Sequence, residues 1–256
     1  MNQKVNIGVL LWPSIRSIAY LNIFNDLGIA PSEIYWMNNG PIRNLNEVIW
    51  ESEKYNYAEG FFDASFDIDA FIEDNIISVD KLDTSDVNSV VVQETVKAAN
   101  VDYILFTGGG ILNSETLGLG KQFIHIHPGT LPGFRGSTCF YYSILAEGSL
   151  GASAIFMDPN IDVGGVIESV DFNINYPIEA DQPLFVDYVL DSFIRAQTLR
   201  KVLLSYKANK VLDAQEQPKY EMPAYYVMHP LLRHKSINKM RSMVNYEQPL
   251  GINQLS

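Results

Sequence analysis

Through the first half of the chain, short runs of β-branched and aromatic residues alternate with longer stretches whose apolar positions recur at helical spacing. Val5–Leu11 reads as a buried strand. Ile18, Leu21, Phe24 and Leu27 then put an apolar stripe on a helix over Ser14–Leu27, and Gly28 stands where a left-handed cap is needed. The same reading predicts strands at Glu33–Met37, Ile76–Val79, Asp102–Phe106 and Phe123–His127. Helices are expected over Asn44–Tyr57, Asp67–Asp74 and Val90–Ala99, the last capped by Thr84 or Asp86, with a short one at Ser114–Leu119. Downstream come a helix over Ser137–Gly148, strands at Ala152–Met157 and Val166–Phe172, and a long closing helix over Pro183–Tyr206. Such alternation defines an α/β class: a Rossmann-like, mostly parallel sheet with helices on both faces. Pro177, Pro183, Pro218, Pro223 and Pro230 crowd the end of the chain. We therefore divide it into an α/β domain over 1–207 and an irregular C-terminal extension over 208–256.

Composition narrows the class. With 256 residues, 47% of them apolar, one sizeable core is feasible, and a single cysteine cannot form an internal disulfide. A reducing, cytoplasmic setting is the expectation. The apolar run near the N-terminus holds Asn6 and reads as a first strand, not as a signal peptide, and no run is long enough to span a bilayer. The net charge of −12 argues against nucleic acid as a partner. That charge is uneven: 51–86 carries 11 acidic and 2 basic residues, whereas 195–241 carries 10 basic and 3 acidic. The basic stretch, with Arg233, Lys235 and Lys239, could meet a small anionic substrate, although a charge run is more often a solvated face.

Two features carry chemistry. The turn Thr107-Gly108-Gly109-Gly110 follows a strand but lacks the third glycine of a dinucleotide fingerprint and the lysine of a P-loop. It is either a tight strand-to-helix turn or backbone bared for a flat ligand at the carboxyl ends of the strands. The second feature is His125-Ile126-His127 at a strand end stopped by Pro128; it holds two of the four histidines, both leaving one face. They could bind zinc with Asp158 or Asp162 as third ligand, or serve as donor and general acid/base around a carbonyl, and spacing alone leaves both open.

The run Ile124-His125-Ile126-His127-Pro128-Gly129-Thr130-Leu131-Pro132-Gly133-Phe134-Arg135-Gly136, followed by Asp158-Pro159-Asn160-Ile161-Asp162-Val163-Gly164-Gly165, resembles the folate-dependent formyltransferases. These act on glycinamide ribonucleotide, methionyl-tRNA or nucleotide-linked amino sugars. The resemblance covers roughly 101–170 and implies a formyltransferase fold. It implies His127 as catalytic histidine and Asp162 as catalytic aspartate, with His125 standing where the family has its asparagine. It further implies N10-formyltetrahydrofolate as co-substrate, without a metal, its pterin flanked by Gly108, Gly109, Gly110 and Ile111 on one side and Asn160 and Ile161 on the other. Arg135, Tyr141 and Tyr142 would bind the acceptor or shape the site. An aromatic cluster on a helix is, however, more often core than pocket, and Cys139 reads as a small buried hydrophobe.

Amine attack on a formyl carbon develops negative charge on oxygen, which histidine and asparagine N–H groups stabilise by about 3–4 kcal/mol per donor. A neutral His125 keeps one such N–H, and at most one of the paired histidines should be charged at neutral pH. The acidic balance and short tail disfavour tRNA as acceptor. The leading expectation is therefore N-formylation of an amino sugar, carried on a nucleotide, in glycan or surface-polysaccharide biosynthesis, with a homodimer compatible. Its rivals are a metal-dependent hydrolase using His125, His127 and Asp162, a non-catalytic relative that binds without turnover and, ranking lower, a methionyl-tRNA formyltransferase.

Overall fold

In the computed structural model, residues 1–38, 40–179, 182, 184–218 and 223–254 are described. The chain runs β1 (Gln3–Leu11), α1 (Ile15–Asp26), β2 (Ile29–Met37), α2 (Leu45–Tyr55), α3 (Tyr57–Gly60), α4 (Ile68–Asn75), β3 (Ser78–Leu82), α5 (Val90–Ala98) and β4 (Tyr103–Phe106). It continues through α6 (Ser114–Leu117), β5 (Gln122–His127), α7 (Cys139–Glu147), β6 (Leu150–Phe156), β7 (Val166–Asn175), a π-helical turn at Phe185–Leu190, α8 (Asp191–Asn209), α9 (Pro230–Ser242) and β8 (Gly251–Gln254). The eight strands form one sheet in the order β3-β2-β1-β4-β5-β6-β7-β8. Pairing is parallel from β3 across to β5 and antiparallel from β5 to β8. The strand order reverses between β1 and β4, which is where open α/β sheets place ligands.

The apolar pattern explains these elements. Ile18, Leu21 and Phe24 of α1 are buried in the larger core cluster, where α1 and α8 cover one face of the sheet. The opposite face buries Leu10, Tyr35, Ile104, Phe106 and Phe123 beneath Val92 and Val96 of α5. Ser14 caps α1 by accepting from the Ser17 N–H, and Gly28 takes the left-handed conformation after its last turn. Thr107, buried, locks the ends of β1 and β4 together: its Oγ1 accepts from the Trp12 N–H and from the Ser17 hydroxyl, each at 2.9 Å.

Several boundaries differ from the sequence pattern, each for a local reason. The third strand is Ser78–Leu82 rather than Ile76–Val79, because Ile76 adopts a left-handed cap after α4 and is exposed. Ser89, not Thr84 or Asp86, occupies the N-cap of α5. Thr84 and Asp86 instead accept from the N–H groups of Asp86 and Asn88, building the turns before it. The long closing helix begins as the π-turn at Phe185; Pro183, the start expected from sequence, lies outside the described residues.

The extension is more regular than its prolines imply. Pro230 sits in the first turn of α9, where its missing N–H costs nothing, and β8 adds the edge strand of the main sheet. The basic residues here largely serve the protein itself. Arg233 pairs with Asp187 at 2.5 Å, Lys239 donates to the Leu145 carbonyl at 2.9 Å and Arg241 to that of Ile178 at 2.8 Å. Lys219 and Glu221 of the basic stretch lie outside the described residues.

Candidate active site

β5 delivers the two histidines to the carboxyl end of the sheet, and the antiparallel β6 runs beside them, pairing His125 with Ile155 and His127 with Ser153. Buried Ser153 anchors the loop after β5, accepting from the Leu131 N–H at 3.0 Å and donating to the Gly129 carbonyl at 2.9 Å. That loop curls back over His127. His127 Nε2 lies 2.7 Å from the Phe134 carbonyl oxygen, and since a carbonyl only accepts, Nε2 carries a proton. Its other nitrogen, Nδ1, is 3.4 Å from Asp162 Oδ1. A proton on Nδ1 therefore completes an ion pair with Asp162.

Asp162 is held in a left-handed conformation (φ 56°), which costs a non-glycine residue about 1–3 kcal/mol unless its surroundings fix it. They do. Its Oδ2 accepts from the Gly136 N–H at 2.9 Å, and Gln217 Nε2 donates both to the Asp162 carbonyl at 2.9 Å and to that of Gly164 at 2.8 Å. At Gly164 a Cβ would fall 1.8 Å from the Phe156 carbonyl oxygen, so only glycine lets the turn close against the end of β6. Burial alone would raise the Asp162 carboxyl, but the hydrogen bond and charge of His127, helped by the Gly136 N–H, hold it below the usual carboxylate range.

His125 has a different environment. Its ring lies 6.2 Å from that of Phe106, and its Nδ1 is buried without a hydrogen-bond partner. Burial, then the charges of Arg195, His127 and Arg16, push its pKa down to about 3 against the opposing pull of Asp162, leaving the imidazole neutral in the physiological range.

A narrow cavity of about 130 Å³ opens over these groups, lined by Phe106, Gly110, Ile111, Leu112, His125, Ile155, Met157, Asp158, Pro159, Ile161 and Asp162. Ile111 and Ile161 stand exposed among its walls. His127 is not among the lining residues; Asp162 lies on both the cavity and His127.

Of the residues singled out in the sequence, His125, Asp162, Gly110, Ile111 and Ile161 thus converge on one cavity, with His127 directly behind. Others do not. Gly108 and Gly109 are outside the lining, and Gly109, with φ 104°, faces Trp12, whose ring would sit 2.2 Å from a Cβ. Asn160 builds a turn instead, its N–H and Nδ2 both donating to Asp158 Oδ1. Tyr141 is buried, donates to Asp187 and accepts from Arg233 at 3.0 Å, and faces a second cavity of about 280 Å³ alongside Arg233 and Arg241. Tyr142 stacks on Tyr225, which stacks in turn on Phe134, so the extension braces the loop that holds His127. Arg135 joins this brace through its backbone, its carbonyl accepting from the Tyr225 N–H at 2.7 Å. Burial pushes the Cys139 thiol up to about 12, an inert core residue. Leu112, Met157 and Phe106 were missed in the sequence because nothing in their local pattern separates a cavity wall from core.

Among the described residues, no group of three His, Cys, Asp or Glu side chains is placed to hold a metal ion, and no helix is long and apolar enough to cross a membrane.

The sequence matches no protein-family model and no curated protein. The fold, by contrast, is that of the formyltransferases. It is similar to a sugar N-formyltransferase from Shewanella sp FDAARGOS_354, at 14% identity over 93% of this chain and 87% of that one, with a TM-score of 0.52. Glycinamide ribonucleotide transformylase 1 from Symbiobacterium toebii shares 15% identity over 84% and 93%, with a TM-score of 0.51. An N-formyltransferase from Helicobacter canadensis, in complex with folinic acid and dTDP-3-aminofucose, shares 14% over 94% and 81%, with a TM-score of 0.50. At these identities the likeness is one of fold.

Proposed function

We propose that this chain transfers a formyl group from N10-formyltetrahydrofolate to the amine of an amino sugar, carried on a nucleotide, in glycan or surface-polysaccharide assembly. The observation that carries the reading is the His127–Asp162 pair set against a narrow, largely apolar cavity in a formyltransferase fold. When bound, the folate supplies an activated formyl carbonyl. Gly110, Ile111 and Ile161 would hold its flat ring by apolar contact, with Asp158 offering acceptors at the edge. The unpartnered Nδ1 of His125, buried beside the same cavity, fits a site that takes a polar ligand group. Neutral His125 would offer one N–H to an oxygen gaining negative charge, in the place of the asparagine amide of the resembled family. Asp162 would accept the proton leaving the amine, His127 Nδ1 would hold it in the ion pair, and the same relay would return it to the departing nitrogen of the folate as the bond from that nitrogen to the formyl carbon breaks.

The nucleotide-linked amino sugar as acceptor is supported by the two sugar-acting structural neighbours, one of them holding dTDP-3-aminofucose, and by an acidic composition unsuited to tRNA. The same reading includes a cytoplasmic protein, compatible with a homodimer, that works on small molecules without a metal.

Titration calorimetry with folinic acid tests the co-substrate site. Saturable binding is expected, weakened about tenfold or more by Ile161→Asp, which puts a charge into the apolar wall. Absence of binding to the unaltered protein would overturn the reading, and stoichiometric zinc surviving dialysis would favour the hydrolase.

A further inference from the structure

The β4–β5 ladder ends at the pair Leu105 and Ile124, just short of the site, so the strand ends that carry Phe106 and His125 are not held to each other by backbone pairing. An ionic chain lies at this point, buried at Arg195 and partly exposed at Asp191 and Arg16. Arg195 of α8, itself buried, donates from NH1 to the carbonyl of Ile126, the residue between the two histidines, at 2.9 Å. Its Nε donates to Asp191 Oδ1 at 3.0 Å, one helical turn away. Asp191 Oδ2 lies 3.7 Å from Arg16 NH2, and Arg16 NH1 donates to the Thr107 carbonyl, directly after β4, at 3.1 Å. The chain from Ile126 through Arg195, Asp191 and Arg16 to Thr107 spans the opening that the ladder leaves.

We infer that Arg195, held by Asp191, which Arg16 meets from its other side, is a positioning residue of this site: it fixes the strand between His125 and His127 and sets a fixed positive charge behind the His125 ring. Two guanidinium groups against one carboxylate leave positive charge behind the sheet. Burial weighs most on His125, followed by Arg195 from α8, His127 from its own strand and Arg16 from α1, against Asp162 from the loop; Asp158 shares the cavity. Only the carboxylates favour its protonation. A buried guanidinium cannot shed its charge, so the bias does not change with pH. The kinetic part of this inference rests on the formyl-transfer reading; the electrostatic part does not.

The test is a side-chain NMR titration of the full chain labelled at histidine, with the His125 signal assigned through His125→Asn. Followed from about pH 3 to about pH 8, with folding checked at each point, His125 of the unaltered protein should stay silent above about pH 4, and Arg195→Met should bring its titration up by about one pH unit or more. Arg195→Lys, keeping the charge, should leave it silent. If formyl transfer is observed, Arg195→Met should also lower kcat about tenfold or more with little change in KM for the folate. A folded Arg195→Met whose His125 does not move overturns the inference whether or not the protein transfers formyl groups. Should Arg195→Met fail to fold, Arg16→Met, at a less buried position, carries the same test: an upward shift supports the inference and an unmoved His125 overturns it.

Discussion

Replacing His127 with alanine is expected to lower formyl transfer by about two orders of magnitude or more. The loss follows from the two-sided placement of the ring. Nε2 is committed to the Phe134 carbonyl, so Nδ1 is the nitrogen that can take and release a proton, and Asp162 is its partner there. Alanine removes that proton site and frees the loop carbonyl at once. Because His127 lies behind the cavity and not in its lining, the loss should fall on kcat, with KM for the folate nearly unchanged. Leaving the buried Phe134 carbonyl unpartnered costs about 1–3 kcal/mol, so thermal unfolding must accompany the kinetics. A well-folded His127→Ala with near-normal turnover would remove His127 from the chemistry.

Asp162→Asn is expected to lower turnover by a similar factor, about two orders of magnitude, and to leave a second signature in the pH dependence of stability. The Asp162 carboxyl titrates below its ordinary range in the folded state, since His127 and the Gly136 N–H outweigh the effect of burial. The folded state thus binds fewer protons than the unfolded one. This adds stability that is fully present above the unfolded carboxyl value, about 4, and lost as pH falls through the folded value. The amide cannot ionise. Asp162→Asn should therefore be less stable than the unaltered protein at neutral pH, with the difference shrinking in acid; denaturant unfolding at a series of pH values reads this directly. A gap that stays constant down to acid pH would mean that the ion pair with His127 adds nothing to the fold.

Much of this arrangement was legible in the residues. The alternation of strand-length apolar runs with helical stripes gave the α/β class, and the strand end His125-Ile126-His127-Pro128 marked the one place where two imidazoles leave the same face beside a loop. Period-two geometry and the position of Pro128 are local properties, so sequence carries them. What sequence could not carry was long range. The brace of Tyr142 and Phe134 on Tyr225 joins segments far apart in the chain, and nothing near Tyr225 announces it. For the same reason the partners of Tyr141, for which the resemblance implied a role in binding the acceptor or shaping the site, could not be read from its own helix: Asp187 and Arg233 lie far along the chain. The glycine turn was ambiguous because positive φ has two uses: Gly109 makes room for Trp12, whereas Gly110 opens onto the cavity. Asn160 shows the same limit, a residue of the right segment whose polar groups are turned inward on Asp158.

The most direct measurement is mass spectrometric. A panel of nucleotide-linked amino sugars is incubated with N10-formyltetrahydrofolate and the purified chain, and each acceptor is read for the gain of one formyl group. The account predicts that at least one acceptor gains it with the unaltered protein and that the gain all but vanishes with His127→Ala. Folate binding without formylation of any acceptor in the panel would contradict it and identify a binding protein built on this fold.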